Sequence, residues 1–185
     1  MAFMTHTTAA AGTARPGTSR SDTSRPNNSN PFNVRVIEEF RANAGVVGGQ
    51  FAGTRLLLLT TRGARTGLLR TTPLVHLPHG GRPVVFASNG GAPTAPGWFH
   101  NLLADPEATV EVGRERYPVR ALLLEPAEHD AVWARQIAVD PAFAEFRERA
   151  LRAGRAIPLV ALERVAQTSR TPARQTAETS GTPGR

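Results

Sequence analysis

The chain has 185 residues, which is enough for one domain with a substantial hydrophobic core. It contains no cysteine, which excludes disulfide bonds, thiolate metal sites and a cysteine nucleophile. More than half of the net charge of +7 lies in residues 1–30 and 166–185, so the middle lacks the clustered positive charge of a nucleic-acid-binding domain.

The two ends of the chain have the composition of tails. Residues 1–30 and 166–185 are rich in Thr, Ser, Ala, Pro and Gly, and they cannot bury enough surface to offset the entropy of ordering. We predict a disordered basic tail at each end, 1–30 and 166–185, around one folded domain, 31–165. No apolar run reaches the ~20 residues of a transmembrane helix, and no apolar signal segment follows the first arginines. A cytoplasmic protein is therefore expected.

The first predicted element is a helix that begins near Asn30. Asn30 suits the N-cap, and Pro31 suits the first turn, where a missing N–H loses no helical bond. Ile37 and Phe40 follow at helical spacing, and Gly45 can end the helix. The glycine-rich stretch that comes next predicts a loop.

Three strands are predicted beyond this loop. Residues 56–60 form a continuous apolar run, which is typical of a buried strand. Residues 70–77 place Thr72, Leu74 and His76 on one side of a second strand. Residues 78–81 predict a turn and residues 84–88 a third strand, so the second and third strands should form a hairpin.

The rest of the chain mixes helices with further strand pairs. Helices are predicted at 98–104, 127–139 and 142–151, and strands at 109–112, 117–124 and 157–165. Strand pairs without intervening helices dominate the middle of the chain. The pattern therefore predicts a mainly β fold of the α+β type, an antiparallel barrel with a few packed helices.

The segment Thr-Arg-Gly-Ala-Arg-Thr-Gly at residues 61–67 is the first candidate for binding. Its two glycines permit a tight turn with outward-facing amides, and Arg65, Thr66 and Arg70 add charged and hydroxyl donors. Backbone amides and arginine forks hold phosphates and carboxylates. The order differs from a P-loop and from the dinucleotide-binding glycine motif. A solvated basic loop remains the alternative.

Two further segments have the residue types of walls around a flat ligand. Residues 88–91, Ser-Asn-Gly-Gly, would let a ligand approach the backbone closely, although an ordinary glycine turn is the alternative. In residues 98–101, Trp98 can stack on a planar ring and Asn101 can hydrogen-bond its polar edge. The alternative is core packing of the aromatic rings, with Asn101 as a structural link.

The histidines and carboxylates predict neither a metal site nor a hydrolase. His76 and His79 are three apart across a strand end and a turn, with no carboxylate nearby in sequence, whereas zinc sites need three or four ligands. No nucleophile-elbow motif is present. His100 is a candidate proton donor, with a structural hydrogen bond as the alternative.

In their combined order these segments resemble the deazaflavin-dependent nitroreductase family, split β-barrel proteins that use coenzyme F420. The resemblance covers most of residues 31–165 and implies an 8-hydroxy-5-deazaflavin as the cofactor. It is carried by Val-Ile-Glu-Glu-Phe-Arg-Ala-Asn at 36–43, the residues Gly48, Gly49, Phe51 and Gly53, the Leu-Leu-Thr-Thr strand, Arg-Thr-Thr-Pro-Leu at 70–74, and Pro-Gly-Trp-Phe-His-Asn-Leu at 96–102.

The resemblance implies a role for each part of the site. The cofactor's phosphate and charged tail would bind Ala64, Arg65, Thr66 and Arg70. Its ring and ribityl chain would run along Thr71, Thr72, Pro73, Leu74 and Val75. The opposite wall would be Phe86, Ala87, Ser88 and Asn89. Gly97, Trp98, Phe99, His100 and Asn101 would close the pocket, and Phe143 would lie over the ring where the substrate stacks.

The implied activity is hydride transfer from the reduced deazaflavin to a small planar acceptor such as a quinone, an enone or a nitroaromatic. Some nitroreducing members have tyrosines on the late helix where this chain has Phe143 and Phe146, so the resemblance supports cofactor binding more strongly than nitroreduction. An FMN-binding split barrel and a binding module without turnover are the alternatives. No nucleic-acid or membrane partner is indicated, and a homodimer is compatible with the fold, since many split barrels pair.

Overall fold

The computed structural model describes residues 28–166, so nearly all of the two predicted tails lies outside the described residues. In the described chain, six antiparallel strands close into a barrel, and four helices pack against it. The predicted mainly β barrel with a few helices is confirmed. No helix among residues 28–166 is long and apolar enough to cross a membrane.

The strands follow the barrel wall in the order β1-β2-β3-β6-β5-β4, and β4 pairs with β1 to close it. The strands are β1 Leu56–Arg62, β2 Leu69–His79, β3 Arg82–Phe86, β4 Glu107–Val112, β5 Glu115–Leu123 and β6 Leu159–Arg164. The helices are α1 Pro31–Ala42, α2 Gly97–Ala104, α3 Pro126–Val139 and α4 Ala142–Arg152.

The first helix begins and ends for the reasons that the sequence indicates. The side chain of Asn30 accepts a hydrogen bond from the amide of Phe32 at 2.9 Å and caps the helix. Pro31 occupies the first turn. Ala44 and Gly45 adopt positive φ of 54° and 95°, which turns the chain away from the helix axis.

One strand is longer than predicted. The sequence predicts a turn from Pro78, but β2 continues to His79, and Pro78 lies opposite Pro83 in the β2–β3 ladder. The reversal needs only Gly80 and Gly81, whose φ values of 59° and 76° suit a two-residue hairpin turn. Two glycines therefore suffice for the turn, which the sequence predicts over the four residues 78–81.

The continuous apolar run of β1 is explained by cover on both of its faces. Leu57 and Leu59 point into the barrel interior. Leu56 and Leu58 point outward and pack in one cluster with Phe40 and other residues of α1. A strand that is buried on both faces has no polar face, so alternation is lost.

Helices seal the rest of the barrel. Helix α2 plugs one end, where Trp98, Phe99 and Leu102 join the interior cluster. Helices α3 and α4 cover the outer face of β2, β3 and β6 and pack Trp133 and Phe143 there. The barrel interior and the outer helical layer are therefore two separate apolar clusters.

Candidate functional site

A cleft opens in the barrel wall where β2 and β3 part. Their ladder stops at the pair His76–Val85, whereas β2 stays paired with β1 as far as Leu69. Residues 70–75 therefore present one edge that has no strand partner in the described chain. The cleft has a volume of about 560 Å³. It is lined by Asn28, Ser29, Arg70, Thr72, Asn89, Thr94, Ala95, Pro96, Gly97, Trp98 and Asn101.

Residues from both sides of this opening face each other across it. If the β2–β3 register continued, Thr72 would lie opposite Asn89, and both residues line the cleft. Asn28 approaches from the N-terminal side, and its Nδ2 donates to the carbonyl oxygen of Thr71 at 2.8 Å. This bond satisfies one carbonyl on the unpaired edge of β2, which a neighbouring strand would otherwise bind.

Trp98 supplies the aromatic part of the lining. The side chain belongs to the barrel-interior cluster and is only 6% exposed, so most of the indole is held by packing. The part that borders the cleft is therefore rigid. A rigid aromatic surface beside a free strand edge suits a flat ring system.

The loop between β1 and β2 lies at the other end of the site. The amide of Gly63 donates to the Leu68 carbonyl at 2.8 Å, and the amide of Gly67 donates to the Gly63 carbonyl at 2.7 Å. The amides of Arg65 and Thr66 have no hydrogen-bond partner within the described chain, and both residues are exposed. Two free amides beside a guanidinium group are the kinds of donor that suit an anion.

Asn101 joins this loop to helix α2. Its Oδ1 accepts a hydrogen bond from the amide of Ala64, and its Nδ2 donates to Thr61 Oγ1, each at 3.0 Å. The structural link that the sequence left open is therefore present. Because the Ala64 amide is already bonded, the anion-binding capacity of the loop rests on its remaining free groups.

Arg70 gives the cleft its charge. It is half-buried, it has no ion-pair or hydrogen-bond partner within residues 28–166, and it is the one charged side chain among the described residues that line the cleft. An unpaired guanidinium at this depth favours an anionic ligand. The cleft thus has a positive end at Arg70 and an aromatic end at Trp98.

The wall opposite β2 is built from residues 88–91. Asn89, Gly90 and Gly91 all have positive φ, at 48°, 60° and 80°. Asn89 Nδ2 donates to the Thr94 carbonyl at 3.0 Å, which closes the loop on itself. The guanidinium of Arg155 binds the carbonyls of this segment from behind.

The structure brings together six of the residues predicted for the site in one cleft, and it packs several predicted apolar residues elsewhere. The predicted residues that line the cleft are Arg70, Thr72, Asn89, Gly97, Trp98 and Asn101, and Ala64, Arg65 and Thr66 lie on the adjoining loop. Leu74, Ala87 and Phe99 pack in the barrel interior, and Val75 packs under the outer helices. Pro73 pairs with Leu58, and the Thr71 hydroxyl lies 2.9 Å from that of Thr60.

Two of the predicted positions lie away from the lining of the cleft in the described structure. Phe143 is 4% exposed, and its ring packs against Phe86 and Trp133 in the outer cluster, with ring centroids 5.2 and 6.1 Å away. It does not lie over the cleft, because α4 turns its apolar face toward the barrel wall. His100 is exposed on α2 beside Phe99 and does not line the cleft.

Two residues that contact the site have no signal in the local sequence. Arg155 and Asn28 act through main-chain carbonyls that are 63–68 and 43 positions away along the chain. Such contacts leave no local motif. The segment Thr94-Ala95-Pro96 was also missed, although its position between a glycine turn and a helix start is a usable signal.

Comparisons with known proteins identify related sequences and structures. The family model described as F420H(2)-dependent quinone reductase matches residues 33–164. An F420H(2)-dependent quinone reductase of Mycobacterium tuberculosis (strain H37Rv) is 38% identical over 128 residues, which cover 68% of this chain and 85% of that protein.

Two solved structures are similar to this chain. An F420-H2 dependent reductase (FDR-A) aligns with a TM-score of 0.53 and 32% identity over 59% of this chain and 94% of its own. A structure described as a domain-swapped dimer aligns with a TM-score of 0.54 and 31% identity over 69% of this chain and 91% of its own.

Proposed function

The chain belongs to the F420H(2)-dependent quinone reductase family, and on that basis we propose that it transfers a hydride from reduced coenzyme F420 to a quinone. The deazaflavin dependence and the oxidoreductase class predicted from the sequence are confirmed at the level of the family. The activity by which the family is known names a quinone as the acceptor. Enones and nitroaromatics remain acceptors to be tested.

The observation that carries the proposal is the two-ended cleft beside the free edge of β2. Arg70 and the unpaired amides of Arg65 and Thr66 lie toward one end, where they fit a phosphate and other anionic groups. Trp98 and the strand edge lie at the other end, where they fit a planar ring. A phosphorylated deazaflavin has both parts.

When bound, the cofactor would supply the hydride. The chain's own residues bind and orient the cofactor. Asn101 holds the anion loop against α2, Trp98 gives the ring a fixed surface, and the packed barrel behind Trp98 excludes water from one side. Asn89 and Thr72 face each other across the opening and set the width available to the ring.

Reduction of a quinone to a quinol needs a proton as well as a hydride. The described residues that line the cleft include no carboxylic acid and no histidine, and the guanidinium of Arg70 keeps its proton. His100, the proton donor considered from the sequence, lies outside the lining. The proposal is therefore that the proton comes from water that enters the open side of the cleft.

A fluorescence titration with coenzyme F420 tests the binding step, with FMN as a competitor in a parallel titration. We expect saturable binding of the deazaflavin and little displacement by FMN. Stopped-flow oxidation of the reduced cofactor with a quinone, an enone and a nitroaromatic then tests turnover. Binding without oxidation by any acceptor would favour a binding module, and displacement by FMN would favour the flavin-dependent alternative.

Self-association and location belong to the same proposal. One similar solved structure is a domain-swapped dimer, which supports a test of this chain for a homodimer by light scattering coupled to size-exclusion chromatography. The cytoplasmic location predicted from the sequence stays a prediction, which cell fractionation tests.

A further inference from the structure

Arg155 makes a set of contacts that the proposed reaction does not by itself require. Its guanidinium donates to three main-chain carbonyls: Nη1 to Ala87 at 3.0 Å, Nη2 to Ser88 at 2.7 Å, and both Nε and Nη2 to Ala92 at 3.0 and 2.9 Å. The amide of Arg155 itself donates to Ala150 at the end of α4, at 2.9 Å. One half-buried side chain thus ties the segment after β3 to the end of α4.

The carbonyl directions explain why the β2–β3 ladder stops where it does. The amide of Ala87 still donates to the Pro158 carbonyl at 3.0 Å, beside β6, as in a continuing strand. In such a strand the carbonyl of Ser88 would point the opposite way from that of Ala87, toward β2. Arg155 binds both carbonyls, so the chain turns at Ser88, whose backbone is helical at φ −69° and ψ −40°.

The segment held by Arg155 is conformationally costly. Asn89, Gly90 and Gly91 are three successive residues with positive φ. Each left-handed non-glycine residue costs on the order of 1 kcal/mol, and glycines lose more entropy on ordering than other residues. Gly91 also lies so close to α4 that a Cβ there would be 2.7 Å from the carbonyl oxygen of Phe146. This conformation therefore needs an external restraint, and the guanidinium supplies it.

We propose that Arg155 is a positioning residue that keeps the cleft open by holding residues 88–91 away from the free edge of β2. The effect that we expect from this restraint is correct placement of the deazaflavin between Thr72 and Asn89, and that effect rests on the proposed function. Lysine cannot replace Arg155, because an ammonium group lacks the planar fork that reaches three carbonyls at once.

The test compares Arg155→Ala and Arg155→Lys with Arg152→Ala as the matched control. Arg152 is an exposed arginine at the end of α4, and it donates none of the side-chain hydrogen bonds to the carbonyls of Ala87, Ser88 and Ala92 in the described structure. Hydrogen exchange of the cofactor-free proteins reads the restraint directly. We expect the amides of residues 88–92 to exchange at least tenfold faster in both Arg155 variants and at the wild-type rate in the control. Unchanged exchange would overturn the proposal.

Cofactor affinity and turnover measure how loss of the Arg155 restraint affects placement of the deazaflavin. We expect the Kd for coenzyme F420 to rise roughly tenfold in Arg155→Ala and Arg155→Lys, since hydrogen bonds from charged groups are among the stronger ones. Low millimolar guanidinium should restore binding in Arg155→Ala but change nothing in Arg152→Ala. A restraint detected by exchange with unchanged Kd would overturn the role in the site.

Failure of the proposed function and failure of the Arg155 proposal can be told apart. If the wild-type protein itself fails to bind the deazaflavin, the proposed function fails, whereas the exchange experiment still decides whether Arg155 restrains the segment. If the melting temperature of Arg155→Ala falls far below that of wild type, Arg155→Lys and the guanidinium rescue separate a specific restraint from general destabilisation.

Discussion

The side-chain oxygen of Asn101 accepts a hydrogen bond from the amide of Ala64 at 3.0 Å, across 37 residues of sequence. The side-chain nitrogen of Asn101, Nδ2, donates to Thr61 Oγ1, also at 3.0 Å. Helix α2, which plugs the barrel, and the loop that offers free amides to an anion are therefore fixed to each other. The position of the loop depends on one side chain that also borders the cleft.

Replacing Asn101 tests this coupling. Asn101→Ala removes both bonds and leaves the Thr61 hydroxyl, which is almost completely buried, without its partner. We expect the variant to lose about 1–2 kcal/mol of unfolding free energy, the range for a buried group that loses its hydrogen bond. The Kd for coenzyme F420 should rise as the loop relaxes. Chemical denaturation and fluorescence titration measure the two effects.

Asn101→Asp separates positioning from charge. The carboxylate can still accept from the Ala64 amide and from the Thr61 hydroxyl, so stability should change less than in Asn101→Ala. The added negative charge lies beside the proposed anion site and should weaken cofactor binding, most strongly at low salt. Equal affinity of Asn101→Asp and wild type would argue against an anion at this loop.

Arg70 is expected to supply the main charged contact of the cofactor. It is the one charged side chain among the described residues that line the cleft, and it has no partner there. Arg70→Met keeps the aliphatic bulk and removes the guanidinium, and the Kd for the deazaflavin should rise roughly tenfold to a hundredfold. Arg114→Met, in the exposed turn after Gly113, is the matched control and should bind normally. Similar affinities for the two variants would remove Arg70 from the site.

The strands and helices could be predicted because their signals are local. Asn30 and Pro31 start α1 as the capping rules require, and the apolar run of β1 marks a strand covered on both faces. The family resemblance places Arg70, Asn89 and Asn101 in one site, and all three line the cleft.

The features that could not be predicted from the sequence depend on long-range packing. Phe143 has the same helical spacing whether its face meets a ligand or the barrel wall, so periodicity cannot choose between them. Arg155 follows α4 in an unremarkable Ala-Gly-Arg-Ala sequence, and nothing local indicates that it binds carbonyls more than 60 residues earlier. The end of the β2–β3 ladder at His76–Val85 has no local signal either, since the residues just beyond it are bound by that distant side chain.

The two glycines of the cleft wall should respond very differently to alanine. Gly91 has φ of 80°, and a Cβ there would lie 2.7 Å from the Phe146 carbonyl oxygen and 2.8 Å from Arg149 Cβ. Gly90 has φ of 60° and open space around a Cβ. We expect Gly90→Ala to cost about 1 kcal/mol and Gly91→Ala about 3 kcal/mol or more, since only the latter adds a clash with backbone to the strain. Urea unfolding of both variants measures the difference, and equal losses would contradict the close packing of α4 on this wall.

His76 should make stability depend on pH. It lies opposite Val85 in the barrel wall, is 8% exposed, and its Nδ1 has no hydrogen-bond partner in the described structure. Burial, with a smaller contribution from the positive charge of Arg55, lowers the pKa of His76 from 6.5 to about 4. The imidazole is therefore neutral in the folded protein through the whole range in which the unfolded chain becomes protonated.

The sign of the effect follows from this difference in proton binding. Above pH 6.5 neither state binds the proton, and His76 adds no pH dependence. As the pH falls from 6.5 toward 4, the unfolded state binds a proton that the folded state does not, so the free energy of unfolding decreases. Between pH 7 and pH 5 we expect wild type to lose about 2 kcal/mol more than His76→Leu, in which this titration is absent. Denaturant unfolding at several pH values measures both proteins, and identical slopes for wild type and His76→Leu would mean that His76 is protonated equally in both states.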